Sequence, residues 1–233
     1  MPPCKIERFI YELLVPIYEH VVPTEMMSLT PKQNEVLLTL FKDFTKDYNA
    51  NSLSKIVGIT PRGSLNIVKN LHKQNLLMRK QFGKAVFYKI NLEDYYTFRT
   101  LETLLIYEAR EKAPRWLAEF KELFKDVKIA IIFGSIIRNP NKANDIDLLL
   151  VFTQKKLKLV KHFINEKNKI LIKPIHPIVQ SPNDIKKNLK KNDPVVLNAL
   201  QRGYVLCGYD KLIEVVKNTQ KVQLFGVLKT RGF

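Results

Sequence analysis

The sequence predicts a two-domain protein of mixed α+β and α/β class, with a small helical domain preceding a small mixed sheet flanked by helices. Three observations support this fold class. Apolar residues recur at helical spacing after two Thr-Pro pairs, at 30–31 and 60–61. Two alternating runs then meet at Gly83, and two apolar strands follow near residues 129–152. A chain of 233 residues is long enough for two modest domains.

The first domain is predicted over residues 28–92. Each Thr-Pro pair begins a helix, because threonine caps free backbone amides and proline fits the first helical position. Between them, a short helix over residues 53–57 ends at Gly58, which suits a left-handed helix end. Two short helices joined by a glycine-containing turn form a helix-turn-helix.

A β-hairpin with Gly83 at its tip completes this domain. The order helix, helix, helix, hairpin resembles the winged helix-turn-helix domains of archaeal and bacterial regulators. By that resemblance, the second helix of the pair enters the major groove and the hairpin contacts phosphates. Leu65 is expected to face inward. The residues expected to lie outside and contact nucleic acid are Arg62, Ser64, Asn66, Lys69, Lys73, Arg79, Lys80 and Lys84. A protein-docking or dimerisation role for the same fold stays open.

Two further segments frame the winged domain. Residues 1–27 are predicted as an N-terminal helical segment that packs on the winged domain or pairs two chains, which leaves a homodimer open. Residues 93–111 are predicted as a connecting helix. The last domain spans residues 112–233, and its first helix begins at Pro114. The aromatic residues of that helix, Trp116 and Phe120 among them, are expected to pack against the sheet.

The segment 129–152 carries the residues most indicative of chemistry. An apolar strand ends at Gly134 and Ser135, and after nine intervening residues Asp145 and Asp147 stand two apart in an apolar run. Alternation along a strand places both aspartates on one face. Neighbouring carboxylates repel each other and burial of an unpaired charge is costly, so the pair requires a cation. A divalent metal with oxygen ligands fits that requirement.

This arrangement resembles the nucleotidyltransferase superfamily that includes DNA polymerase beta, in particular its minimal nucleotidyltransferase branch. The resemblance covers about residues 112–220, with a closing helix and strand over 193–208. It implies that the Gly-Ser pair contacts a triphosphate and that the two aspartates hold one or two Mg²⁺ ions. The implied reaction transfers a nucleoside monophosphate from an NTP substrate to a hydroxyl group. The acceptor would be a protein side chain, an RNA end or a small molecule.

One part of the family pattern is missing from this chain. Family members carry a third carboxylate on a later strand, whereas the strand predicted over residues 169–179 contains no Asp or Glu. His176 lies near the expected place, where it acts as a base or ends the strand without a chemical role. Asp184 comes too late, on a predicted helix. Arg138, after the Gly-Ser pair, contacts phosphate or remains solvated.

These departures leave two functions open. The first is a nucleic-acid-associated nucleotidyltransferase that uses Mg²⁺ and an NTP. The second is a non-catalytic DNA- or RNA-binding regulator with a degenerate nucleotidyltransferase domain that lacks the third carboxylate. Transfer of label from NTPs distinguishes them.

The formal net charge of +17 indicates a polyanionic partner. Residues 28–92 carry +8 and residues 127–233 carry +13, while the segments before and between them carry −2 each. Cationic surfaces associate with nucleic acids because they release counterions from the phosphates. Duplex DNA is the favoured partner, and structured RNA is the alternative. A lysine-rich proteome would normally raise Glu together with Lys, which is not the pattern here.

Composition also predicts the compartment. No apolar run is long enough to cross a bilayer, and the start of the sequence lacks the apolar core of a signal peptide. The two cysteines, Cys4 and Cys207, lie far apart without metal-type spacing, which is typical of reduced thiols. We therefore expect a cytoplasmic protein with no membrane partner.

Overall fold

Three helices and a hairpin open the described part of the chain. The computed structural model describes residues 29–229, with side chains up to residue 220. The predicted N-terminal helical segment, 1–27, and Cys4 therefore lie outside the described residues. The first elements are α1 (Pro31–Lys42), α2 (Ala50–Val57), α3 (Pro61–Lys73), β1 (Leu77–Phe82) and β2 (Ala85–Ile90). This order is the winged helix-turn-helix arrangement predicted from the sequence.

Polar caps and one left-handed glycine set the ends of α2 and α3. The Asn49 side chain accepts a hydrogen bond from the Ser52 amide at 2.8 Å, and the Ser52 hydroxyl accepts one from the Asn49 amide at 2.9 Å. This capping box starts α2 at Ala50, three residues earlier than predicted. Gly58 ends α2 at a φ of 66°. The Thr60 hydroxyl then accepts from the Gly63 amide and caps α3.

The inward face of α3 differs from the prediction by one residue. Ser64, Val68 and Leu71 have no exposed surface, whereas Leu65 is 37% exposed. The expectation that Ser64 lies outside and Leu65 inside is therefore wrong. Spacings of four and three residues keep positions 64, 68 and 71 on one stripe of a 3.6-residue helix, and Ser64 is small enough to pack at the end of that stripe.

A longer helix and a mixed sheet form the rest of the chain. The helices are α4 (Tyr95–Lys112), α5 (Pro114–Glu119), α6 (Ser135–Arg138), α7 (Leu157–Ile170), α8 (Pro182–Lys190), α9 (Pro194–Arg202) and α10 (Tyr209–Lys229). Short 3₁₀ helices span Lys121–Lys125 and Gln154–Lys156. The strands are β3 (Ile129–Phe133), β4 (Ile146–Val151), β5 (Ile175–Gln180) and β6 (Tyr204–Cys207).

The four strands form a mixed sheet in the order β5-β4-β3-β6. Strand β3 pairs antiparallel with β4 and β6, and β4 pairs parallel with β5. The strand predicted over 169–179 is shorter than expected, because α7 continues to Ile170 and β5 begins only at Ile175. Trp116 and Phe120 join the core cluster that includes Ile132 and Leu148, as predicted for the first helix of this domain.

A polar junction connects the winged helix to the sheet-containing part. Lys42, the last residue of α1, donates to Glu108 Oε1 at 2.7 Å and to the Gly203 carbonyl at 2.9 Å. Next to it, Gln201 Nε2 donates to Asp43 Oδ1 at 2.7 Å. From Pro31 onward the chain forms one unit by its contacts, and the domain boundaries given above stay a prediction.

Among residues 29–229, no helix is both long and apolar enough to cross a membrane. Burial raises the pKa of the Cys207 thiol to about 12, so that thiol stays protonated at neutral pH.

Candidate functional site

A tight turn after β3 forms one wall of the candidate site. Gly134 follows the last residue of β3 at a φ of 82°, in the region that favours glycine. A Cβ atom added at Gly134 would collide with the carboxylate of Asp147. Glycine is therefore required for two reasons, its backbone conformation and its close approach to Asp147. Ser135 then begins α6, a single helical turn that ends at Arg138.

Strand register brings the acidic residues to the same end of the sheet. Asp147 pairs with Phe133 of β3 on one side and with His176 of β5 on the other. Asp145 directly precedes β4. Asp145, Asp147 and His176 each offer a ligand atom within 4.8 Å of the others. The structure thus brings together four predicted site residues, Gly134 included.

His176 contacts Asp147 directly. The distance from His176 Nδ1 to Asp147 Oδ1 is 3.1 Å. The side chain of Asp147 is 22% exposed and that of His176 is 62% exposed. In the neutral tautomer that carries its proton on Nδ1, His176 donates to Asp147 and keeps Nε2 free as a proton acceptor. Asp147 would then orient the imidazole ring.

The donor set fits a divalent cation. Among the described residues, neither Asp145 nor Asp147 forms an ion pair with a lysine or an arginine. Two partly buried carboxylates this close repel each other, and a cation between them removes that repulsion. Carboxylate oxygens are the ligands that Mg²⁺ prefers, and Asp145 and Asp147 supply them. Gly134 leaves the space in front of Asp147 free of a side chain.

Arg138 lies at the end of α6. Its Nε donates to the Gly134 carbonyl at 3.2 Å, and the residue is exposed. Its guanidinium therefore stands near the turn, within one helical turn of Ser135. Asp184 lies on α8, where it forms a capping box with Ser181, so it takes no part in the acidic cluster.

The predicted nucleic-acid contacts lie on α3 and the hairpin. The exposed members are Arg62, Asn66, Lys69, Lys73, Arg79 and Lys84. Lys80 is partly exposed, and its ammonium group lies 5.0 Å from the centre of the Phe82 ring. Ser64 is buried and cannot reach a base, so it leaves this set.

Lys173 is a residue of the site region that the sequence did not reveal. Its ammonium group donates to the carbonyl oxygens of Pro140 and Ala143, in the loop that leads to Asp145. This contact fixes the loop that connects α6 to the first aspartate. A single lysine between a helix and a strand has no recognisable pattern, because its partners are backbone carbonyls distant in the sequence.

Comparison with known protein families supports the sequence resemblance over part of the chain. Residues 114–202 match the family model of the nucleotidyltransferase domain. The matched segment contains the turn at Gly134, both aspartates and His176. Comparison with curated proteins gives no significant match.

Solved structures with partial similarity include a competence repressor and a zinc-responsive MarR family member. The adhesin competence repressor AdcR of Streptococcus pyogenes is 14% identical, with a TM-score of 0.32, over 70% of this chain and 95% of that one. ZitR of Lactococcus lactis, a zinc-responsive MarR family member, is 14% identical with a TM-score of 0.29, over 71% and 95%. Wild-type ZitR in complex with DNA is 16% identical with a TM-score of 0.26, over 52% and 99%. Because these TM-scores are low, nothing about function passes from these regulators to this chain.

Proposed function

We propose that this protein is a nucleotidyltransferase that transfers a nucleoside monophosphate from an NTP to a hydroxyl acceptor while associated with nucleic acid. The observation that carries the proposal is the cluster of Asp145, Asp147 and His176 behind the Gly134-Ser135 turn. A cluster of this kind within a segment that matches the nucleotidyltransferase family supports the transferase function more directly than charge or fold alone.

The turn and the two aspartates would hold the triphosphate. Gly134 lets the backbone approach phosphate oxygens, and the Ser135 hydroxyl and nearby amides donate to them. Asp145 and Asp147 would hold one or two Mg²⁺ ions through their carboxylate oxygens. Bound Mg²⁺ would supply positive charge that neutralises the triphosphate and the leaving pyrophosphate. Arg138 stands close enough to the turn to add a further positive charge.

His176 would act where the family uses a third carboxylate. The acceptor oxygen attacks the α-phosphorus, the bond from this phosphorus to the bridging oxygen of the β-phosphate breaks, and pyrophosphate leaves. The hydroxyl proton passes to His176 Nε2, while Asp147 accepts the hydrogen bond from Nδ1 and orients the ring. Histidine is suited to this task because it accepts a proton near neutral pH.

The winged helix would bring the protein to nucleic acid. Support comes from the exposed side chains of Arg62, Asn66 and Lys69 on α3 and from the charge of +8 over residues 28–92. Arginine and asparagine pair with base edges in the major groove, and lysine pairs with phosphates. Duplex DNA is the favoured partner. A protein acceptor and a cytoplasmic location are compatible with this proposal.

Transfer of label from NTPs tests the enzyme function. The full chain is incubated with each of four NTPs labelled on the α-phosphate, with Mg²⁺, and with DNA, RNA or no added acceptor. We expect the wild type to form a labelled product in a Mg²⁺-dependent reaction, and Asp145→Asn/Asp147→Asn to form none. The matched control is Asp47→Asn/Asp210→Asn, which removes the same charge from two half-exposed positions outside the cluster.

One outcome would contradict the assigned site, and another would contradict the enzyme function. Label transfer that survives the double substitution would place the chemistry elsewhere. A wild type that binds NTP without transferring label to any acceptor would favour the non-catalytic regulator.

A further inference from the structure

A cavity of about 290 Å³ lies on the face of β4 opposite the two aspartates. Ile146 of β4 lines it, and alternation along the strand places Ile146 on the other face from Asp145 and Asp147. The structure describes the acidic cluster and the Gly134-Ser135 turn in full, and none of their residues lines the cavity. A ligand held in this cavity is therefore a different molecule from one held at the aspartates.

The walls of the cavity are mostly apolar. Trp116 of α5, Ile136 of α6 and Ile146 are buried and form its inner side. Ile172 is 96% exposed, so an apolar side chain stands in water at the rim. An apolar group that enters the cavity removes such surface from water, which favours binding. The volume lies near the lower end of the range for small-molecule sites, so the cavity suits a ligand with a single ring.

The polar groups of the cavity are two cations and one amide, from Arg115, Lys173 and Asn141. No aspartate or glutamate lines the cavity in the described part of the chain, so its lining carries a positive charge. The guanidinium of Arg115 lies 4.9 Å from the centre of the Trp116 ring, which holds this charge beside the apolar wall. An anion is attracted more strongly there than in open water, because the apolar wall lowers the local dielectric constant.

Lys173 presents a fixed charge to the cavity. Its ammonium group donates to the carbonyl oxygens of Pro140 and Ala143. These contacts hold the ammonium group in place without neutralising it, because carbonyl oxygens carry no net charge. They use two of its three N–H groups, which leaves one for a ligand. Arg115 adds a planar fork of donors, which matches the two oxygens of a carboxylate.

We propose that this cavity binds a small carboxylic acid with one apolar ring, the chemical class that benzoate represents. The carboxylate would accept hydrogen bonds from Arg115 and Lys173, and the ring would pack against Trp116 and Ile172. Both halves of the ligand are needed. A bare anion stays in water because the apolar walls do not replace its hydration, and an uncharged ring leaves the two cations without a partner. The inference is independent of the proposed transferase function.

Trp116 makes this proposal directly measurable. It is the only tryptophan of the chain, so intrinsic tryptophan fluorescence reports on the cavity wall. The full chain is titrated at neutral pH with benzoate, benzamide and acetate, in the absence of nucleotide, and calorimetry measures the binding of each probe independently. We expect saturable binding of benzoate with a change in fluorescence. Benzamide lacks the charge and acetate lacks the ring, so each should bind about tenfold more weakly or less.

Two substitutions at exposed positions test the two halves of the lining. Arg115→Gln should weaken benzoate binding about tenfold and leave the weaker binding of benzamide unchanged. Ile172→Ala should weaken the binding of both probes about twofold to fivefold, because it removes apolar rim surface. Arg110→Gln, at an exposed arginine of α4, is the control for the charge, and Ile170→Ala, two residues from Ile172, is the control for the apolar rim. Neither control residue lines the cavity.

Four outcomes would overturn this inference. Absence of saturable benzoate binding would refute it outright. Equal affinities for benzoate and acetate would remove the role of the apolar walls, and equal affinities for benzoate and benzamide would remove the role of the cations. Equal benzoate affinities of Arg115→Gln and Arg110→Gln would place the bound benzoate outside this cavity. Each of these measurements is made without nucleotide, so none of the four outcomes bears on the transfer of label from NTPs.

Discussion

The acidic cluster and the exposed face of α3 are positioned by different parts of the structure. The cluster is positioned by the register of the strands and by the turn at Gly134, where no side chain collides with Asp147. A shift of the strand register by one residue would therefore destroy the cluster. Which side chains of α3 are exposed depends only on the rotation of the helix about its axis. A rotation by one residue would exchange the buried Ser64 with the exposed Leu65 and leave the helix intact. Sites locked by backbone contacts are thus more predictable from spacing than sites spread over a helix surface.

The largest loss of transfer activity should come from Gly134→Ala, a substitution at the turn beside the acidic cluster. The added Cβ meets the Asp147 carboxylate, so the substitution displaces a metal-binding group. We expect transfer activity to fall roughly a thousandfold or more, because a bound metal contributes several kcal/mol to such reactions. The transfer of label from NTPs measures this loss of activity. Gly83→Ala is the control, since Gly83 also has a positive φ but faces open space. Equal activity of both variants would show that the close approach is unimportant.

The next effect concerns His176 and its role as base. Loss of a general base typically costs a hundredfold or more, so His176→Ala should lower the transfer rate by about that factor. His176→Asp restores the type of residue that the family uses and should retain more activity than the alanine variant. Their rates, and the pH profile of each, are compared with those of His162→Ala, an exposed histidine on α7. Equal activity in all three would leave His176 without a catalytic role.

A stability effect should follow at the junction that fixes α1 beside the sheet. Lys42 and Glu108 are 11% and 16% exposed, so Lys42→Met leaves a shielded carboxylate without its partner. We expect the free energy of unfolding to fall by about 3 kcal/mol. Lys46→Met, at a residue whose side chain is 64% exposed, should cost under about 1 kcal/mol. Chemical denaturation measures both, and equal losses would contradict a special role for the junction.

Smaller effects, on DNA binding, are expected from substitutions on the exposed face of α3. Arg62→Ala and Lys69→Ala should each weaken DNA binding by about 1–3 kcal/mol and flatten its dependence on salt. Gel shifts at two salt concentrations measure the change. Lys161→Ala, at an exposed position on α7, provides a charge-matched control outside the winged helix. If all three variants lost affinity equally, binding would depend on overall charge alone.

The smallest effect should come from Ser64→Ala. The Ser64 hydroxyl is buried without a hydrogen-bond partner, and a buried unsatisfied hydroxyl is destabilising. The variant should therefore bind DNA as the wild type does and unfold with a free energy equal or higher by about 1 kcal/mol. A loss of DNA affinity would mean that Ser64 contacts nucleic acid, contrary to its position in the core.

The sequence predicted those parts of the fold that depend on local signals. Thr60 set the start of α3 through its side-chain hydroxyl, and Gly58 and Gly83 set a helix end and the hairpin tip through their positive φ. The start of α2 was missed because the Asn49–Ser52 capping box looked like an interruption of the helical pattern. The strand predicted over residues 169–179 began too early, because the basic C-terminal residues of α7 carry no apolar periodicity that would mark them as helix.

The candidate site was predictable where residue spacing implied a strand register. The Gly-Ser turn and the Asp-x-Asp pair belong to antiparallel neighbours, so their meeting follows from the pattern. The contact of His176 with Asp147 required the parallel pairing of β4 and β5, which is non-local. The link from Lys173 to Pro140 and Ala143 depends on backbone carbonyls and leaves no trace in the sequence.

Calorimetric titration of the full chain with a non-hydrolysable NTP, with and without Mg²⁺, tests the central claim most directly. We predict saturable uptake by the wild type that requires Mg²⁺ and disappears in Asp145→Asn/Asp147→Asn. Uptake that proceeds equally without the metal, or equally in the double variant, would contradict a metal-dependent nucleotide site at these aspartates.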